Sequence, residues 1–138
     1  MNIIFPQVYA ELQAFLSDVS ARRSVLLNGR KINVMNAYPD EEAEMPAVVI
    51  EEKQNTESAE AKELDAYETL SNIVYEVGIY DNSEKKVTVC YELTKDINEF
   101  FMGLEKTVMK FSRTYSSPIP NAIDPYTHRH LMRFQNIK

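Results

Sequence analysis

SNIVYEVGIYDN, residues 71–82, alternates with period two: Ile73, Tyr75, Val77 and Ile79 fall on one face, Val74, Glu76, Gly78 and Tyr80 on the other. That spacing predicts a central strand, apolar on both sides. From Ser83 the period changes to three and four. Val87, Cys90, Leu93 or Thr94, Ile97, Phe100 or Phe101, and Leu104 form the stripe of an amphipathic helix, with Ser83 placed to cap its first turn.

Upstream, MPAVVIEEKQN (residues 45–55) is a β-branched run trailing into charge, which predicts a strand entered through Pro46, buried at its start and exposed at its end. Ahead of it, Ile32 and Val34 alternate with Asn33 and Met35 after an Asn28-Gly29 turn, giving a short strand. The first segment, residues 5–21, repeats Val8, Leu12, Phe15, Leu16 and Val19 at helical spacing, with Pro6 where a first turn tolerates it. Downstream, residues 108–115 and 126–137 read as two strands joined by a turn holding Pro118, Pro120 and Pro125. Residues 54–68, rich in Glu and Ala without apolar periodicity, are expected to be a mobile acidic excursion. The order α-β-β-β-α-β-β implies an α+β fold: a mostly antiparallel sheet of about five strands with two helices on one face. The other face, also apolar, then needs a cover, for which a neighbouring subunit is a candidate.

With 138 residues, 44% of them hydrophobic and 3 glycines, the chain is sized for one domain over residues 1–138. Its single cysteine, Cys90, excludes an internal disulfide and a cysteine-rich zinc site, and fits a reducing compartment. No apolar run is long enough to span a bilayer, and the first residues carry Glu11 and no basic leader, so a cytoplasmic, non-membrane protein is expected. The net charge of -6 disfavours nucleic-acid binding. Its distribution is uneven. Residues 40–68 hold eleven acids against two bases, and residues 106–138 six bases against Asp124 alone. Such segregation can guide head-to-tail association or simply solvate two faces of a monomer.

Chemistry-bearing patterns are sparse. His128 and His130 share a strand face, as metal ligands could, but only Asp124 offers a third ligand, so no metal is expected. Cys90 lies on an apolar helix stripe, where it packs as a small hydrophobe. Glu41, Glu42 and Glu44, and Glu51 and Glu52, form acid runs without a partner motif, which reads as solvated surface rather than general acid and base. No glycine-rich phosphate loop exists, which excludes nucleotide hydrolysis. Arg113, Arg129 and Arg133, with Tyr115, Tyr126 and Phe134, could form a single-strand nucleic-acid platform. Alternation opposes it: Arg129 and Arg133 share one face, His128, His130, Met132 and Phe134 the other. No catalytic residue or cofactor is therefore expected.

The N-terminal helix, YPDEEAEMPAVVIEEKQN (residues 38–55), YEVGIYDN (75–82), the long second helix and then RTYSSPIPNAIDPYTHRHLMRFQ (113–135) resemble, in that order, the tail terminator or tail completion proteins of long-tailed bacteriophages and prophages, also called minor capsid proteins. The resemblance covers nearly the whole chain. It implies a non-catalytic virion protein of the tail or neck, assembled in the bacterial cytoplasm as a hexameric ring on the head-proximal end of the tail tube. Such a ring ends tube polymerisation and docks the head connector. Implied partners are further copies of the chain, the tail tube protein, connector or neck proteins, and a sheath or collar protein if the tail contracts; DNA passes through an acidic lumen without specific binding. A head completion or collar role on the portal side, or a small-molecule-binding domain, stands as the alternative. On charge pattern and resemblance, the subunit interface is expected to join Arg113, Pro118, Pro120, Asn121, Arg129 and Arg133 to Glu41, Glu42, Glu44, Glu51 and Glu52 of a neighbour.

Overall fold

The computed structural model describes residues 3–39, 43–57, 71–120 and 126–136. Helix α1 (Phe5–Arg22) leads to strands β1 (Asn33–Met35), β2 (Ala47–Glu57) and β3 (Ser71–Asp81). Helix α2 (Lys86–Gly103), a 3-10 turn (Leu104–Lys106), and strands β4 (Phe111–Pro118) and β5 (His128–Asn136) follow. The sheet order is β1-β2-β3-β5-β4, so the 71–82 stretch is the middle strand. Three pairings are antiparallel; β1 and β2 are parallel, which makes the sheet mixed. This is the α+β architecture and element order expected.

One core holds it together. Ile73, Tyr75, Val77 and Ile79 are all fully buried on one face of β3, and against them pack Val8, Leu12, Leu16 and Val19 of α1 and Cys90, Leu93, Ile97 and Phe101 of α2. Each such aliphatic side chain contributes about 1.5–3 kcal/mol relative to exposure. Aromatic rings close one end: Phe101 stacks on Phe134 with centroids 3.9 Å apart, and meets Phe111 edge-on at 5.7 Å.

Local boundaries moved for identifiable reasons. Ser83 does not cap α2; its hydroxyl donates to Asp81 Oδ2 at 2.6 Å, and the helix begins at Lys86. Val87, at the first turn of α2, is exposed and Val89 is buried in its place, while Cys90, Leu93, Thr94, Ile97, Phe100, Phe101 and Leu104 of the expected stripe are all buried. Residues 54–57 are not part of an excursion: they continue β2, paired with residues 71–74. Residues 58–68 lie outside the described residues. The strand expected from Val108 starts at Phe111, since the 3-10 turn uses Val108 N–H to reach Leu104 O at 2.8 Å. Its partner runs from His128 rather than Tyr126.

The two sheet edges differ. At β1, the outward Ile32 N–H donates to Ser20 Oγ at 3.0 Å and Tyr9 Oη donates to Val34 O at 3.1 Å, so hydroxyls from α1 occupy backbone groups that a strand would otherwise seek. At the other edge β4 has no partner beyond β5 among the described residues. The expected Asn28-Gly29 turn is present, both residues in the left-handed region (φ 54° and 78°) that Asn tolerates and Gly adopts without a Cβ clash.

Candidate functional site

The helix-free face of the sheet is built by alternation. Registers place Arg129 across from Tyr80, Leu131 across from Gly78, Arg133 across from Glu76, and Tyr115 across from Arg133. Gly78 is the key to its shape. A Cβ there would come within 2.9 Å of the Tyr80 ring, so the missing side chain lets Tyr80 lie flat along the sheet. Over that ring sits the Arg129 guanidinium, 5.5 Å from its centroid and 5.9 Å from the centroid of the Tyr38 ring. A cation within reach of two aromatic rings is attracted by both. Tyr80 with Ala47 and Val49 forms a small second core, against which Met35 and Met45 pack. The chain thus covers part of its own second face. Burial holds the Tyr80 phenol above its ordinary range, against the opposing pull of Arg129.

Arg129 and Arg133 differ in their commitments. Arg133 Nε donates to Glu76 Oε2 at 3.0 Å, and its guanidinium lies 5.7 Å from the Tyr115 ring. Glu76 is nearly buried, but the Arg133 side chain is half exposed, and solvent screening there holds the pair's contribution to about 1 kcal/mol. Arg129 makes no ion pair among the described residues, and its Nε is buried without an acceptor. Basic and aromatic groups do interleave on this face, through Tyr38, Tyr80 and Tyr115. Alternation along residues 128–134 alone puts the arginines opposite Phe134, which faces the helices; the aromatic partners come from neighbouring segments, Tyr115 of β4, Tyr80 of β3 and Tyr38.

Other expected interface residues are not gathered here. A bulge at Thr114 sets Arg113 across from Phe134, on the helix side, away from Arg129 and Arg133. Glu51 lies on the helix-free face, 3.3 Å from Lys53 Nζ, whereas Glu52 pairs with Tyr75 on the other face. Burial, with the Glu52 carboxylate, drives the Tyr75 phenol well above its ordinary range. Glu44 is placed by its backbone, whose carbonyl accepts from Asn33 Nδ2 at 3.3 Å. Pro118 ends β4 and, with Pro120, Lys86 and His128, rims a shallow hollow. Asn121, Glu41 and Glu42 lie outside the described residues.

His130, 8% exposed, shares a 2.8 Å hydrogen bond between its Nε2 and Ser116 Oγ on the exposed edge strand. A serine beside a histidine suggests nucleophilic chemistry, but a working base needs its imidazolium stabilised by a third group. The charges acting on His130 are His128 and Arg113, which, after burial, lower its proton affinity further. The pair is better suited to joining β4 to β5. Its folded pKa lies below the ordinary 6.5. As pH falls below about 6.5 the unfolded chain binds the proton first, so this group adds no pH dependence above that value and an increasing destabilisation below it. Denaturant midpoints should therefore fall between pH 7 and 5, and His130→Gln should flatten that part of the profile. An unchanged slope in the variant refutes the assignment.

Cys90 is fully buried, its Sγ facing the Ile79 and His128 carbonyls at 3.8 Å, and burial pushes its thiol up to about 12. It is an inert core residue, not a nucleophile. An open groove between α1 and β1 is lined by Ser17, Ser20, Ser24 and Arg30. Two of its polar groups are already engaged: Ser20 Oγ donates to Leu16 O, and Arg30 donates to Leu27 O, Met45 O and Asp81. No cluster of three or more metal-ligating side chains occurs among the described residues, and no described helix is long and apolar enough to cross a membrane. Against known proteins, neither a family model nor a curated protein matches this chain.

Proposed function

We propose that this chain is a structural subunit of a bacteriophage tail, forming a ring that caps the head-proximal end of the tail tube, ends its polymerisation and receives the head connector. The supporting observation is the helix-free sheet face, where Tyr38, Arg129, Tyr80, Arg133 and Tyr115 concentrate the residue types enriched in protein interfaces. The resemblance of residues 38–55, 75–82 and 113–135 to tail terminator proteins supplies the assembly. A ring requires two different complementary surfaces per subunit and a rotation that closes. Its role is steric and adhesive, without catalysis or cofactor, and its partners are further copies of itself, the tube protein and the connector. Location in the virion, at tail or neck, follows from the same reading.

The test is electron microscopy of particles made with and without the chain. Loss should give tubes of uncontrolled length that fail to join heads, and adding the protein back should restore both. Normal-length tails without heads would move the role to the portal side of the neck, and unaffected particles would overturn the reading.

A further inference from the structure

Resting on that ring reading, a second surface specifies how copies meet. Helix α2 turns Val87, Tyr91 and Met102 outward, 58%, 57% and 67% exposed, on the side opposite its buried Val89, Leu93, Ile97 and Phe100. With Lys95 and Asn98 they are spaced four, four, three and four residues apart, which keeps them in one line along the helix. Lys95 Nζ sits 4.8 Å from the Tyr91 ring, and Asn98 Nδ2 donates to Met102 Sδ at 3.5 Å, so the line is a prepared surface rather than scattered side chains. Isolated exposed apolar residues are ordinary; three on one line of a helix are a patch.

This stripe and the Tyr38, Arg129, Tyr115 face lie on opposite sides of the molecule, because both helices cover one face of the sheet. Their charges complement each other. Glu99, exposed beside the stripe, has no ion pair among the described residues, and neither has Arg129. Lys95 and Arg133 each already hold an acid of their own surface, Glu92 and Glu76. Among the described residues, the acid beside the stripe that lacks an ion pair is Glu99, and the base on the helix-free face that lacks one is Arg129. We infer that the outer stripe of α2 in one copy seats on the helix-free sheet face of the next, with Glu99 meeting Arg129. A contact between opposite sides is heterologous: each copy keeps one surface of each kind free, so the contact repeats rather than stopping at a dimer, and it closes into a ring where the rotation between copies is right.

The test is a charge exchange read by sedimentation of the purified full chain. Glu99→Arg and Arg129→Glu should each weaken association at least tenfold, with circular dichroism unchanged. Mixing the two variants should restore it, since each then offers the charge its partner lacks. In addition, a chain carrying both Tyr91→Cys and Tyr115→Cys should oxidise to a ladder of multimers, whereas either cysteine alone should not. Association untouched by the single variants, a mixture that stays dissociated, or dimers from Tyr91→Cys alone would each overturn the inference. So would a parent chain that remains monomeric and gives no ladder up to millimolar concentration. If tails made with the chain still have controlled length after such a failure, the ring reading survives and only this contact is lost.

Discussion

Asp81→Ala should destabilise the fold by about 3–5 kcal/mol, the cost of removing one partner from a buried ion pair. The Asp81 side chain is completely buried. It accepts from Arg30 Nη1 at 2.8 Å and from Ser83 Oγ at 2.6 Å. Arg30 also donates to Leu27 O at 2.8 Å and Met45 O at 3.2 Å. One carboxylate thereby ties together the turn after α1, the entry to β2, the end of β3 and the approach to α2. Without it, a guanidinium that is mostly covered loses its counter-charge, and the Ser83 hydroxyl loses its acceptor. The check is equilibrium denaturation of parent, Asp81→Ala, Arg30→Met and the double variant Arg30→Met with Asp81→Leu. The double variant should recover much of the single-variant loss, because exchanging both charges for apolar groups removes the desolvation cost together with the attraction. Losses below about 1 kcal/mol, the range of exposed pairs, would refute this role.

Phe101→Ala should cost a similar amount, about 3–5 kcal/mol, through a cavity rather than a charge. The ring is 1% exposed and touches four others: stacked on Phe134, edge-on to Phe100 and Phe111, and tilted against Tyr75 at 6.3 Å. These come from α2, β3, β4 and β5, so the surroundings cannot close around the missing ring without moving the strands apart. Denaturant midpoints should shift with little change in slope, and Phe101→Leu should lose less than Phe101→Ala. Equal losses in the two variants would contradict the cavity account, since Leu fills part of the volume that Ala leaves empty.

Local periodicity carried most of the architecture. Ser71–Asp81 is the central strand because its alternation places four apolar side chains under the helices, a pattern visible without knowing any partner. Features set by distant partners were not legible. Ser83 has the composition of a helix cap, but Asp81, buried by the fold, captures its hydroxyl. Arg113 looks equivalent to Arg129 and Arg133 until the register reveals a bulge that sends it to the other face. The tyrosine-arginine surface joins Tyr38, Tyr80, Arg129, Arg133 and Tyr115, drawn from separate strands and from the segment after β1, so no linear spacing announces it. Gly78 was its one local signal: a glycine in a central strand often marks close approach by another group, here the ring of Tyr80.

The most direct measurement of the central claim is the position and number of copies of this chain on isolated tails, obtained by cryo-electron microscopy of the head-proximal tube end. The account predicts one closed ring of about six copies at that end alone, successive subunits related by rotation about the tube axis. Copies distributed along the whole tube, or none in the mature particle, would contradict it.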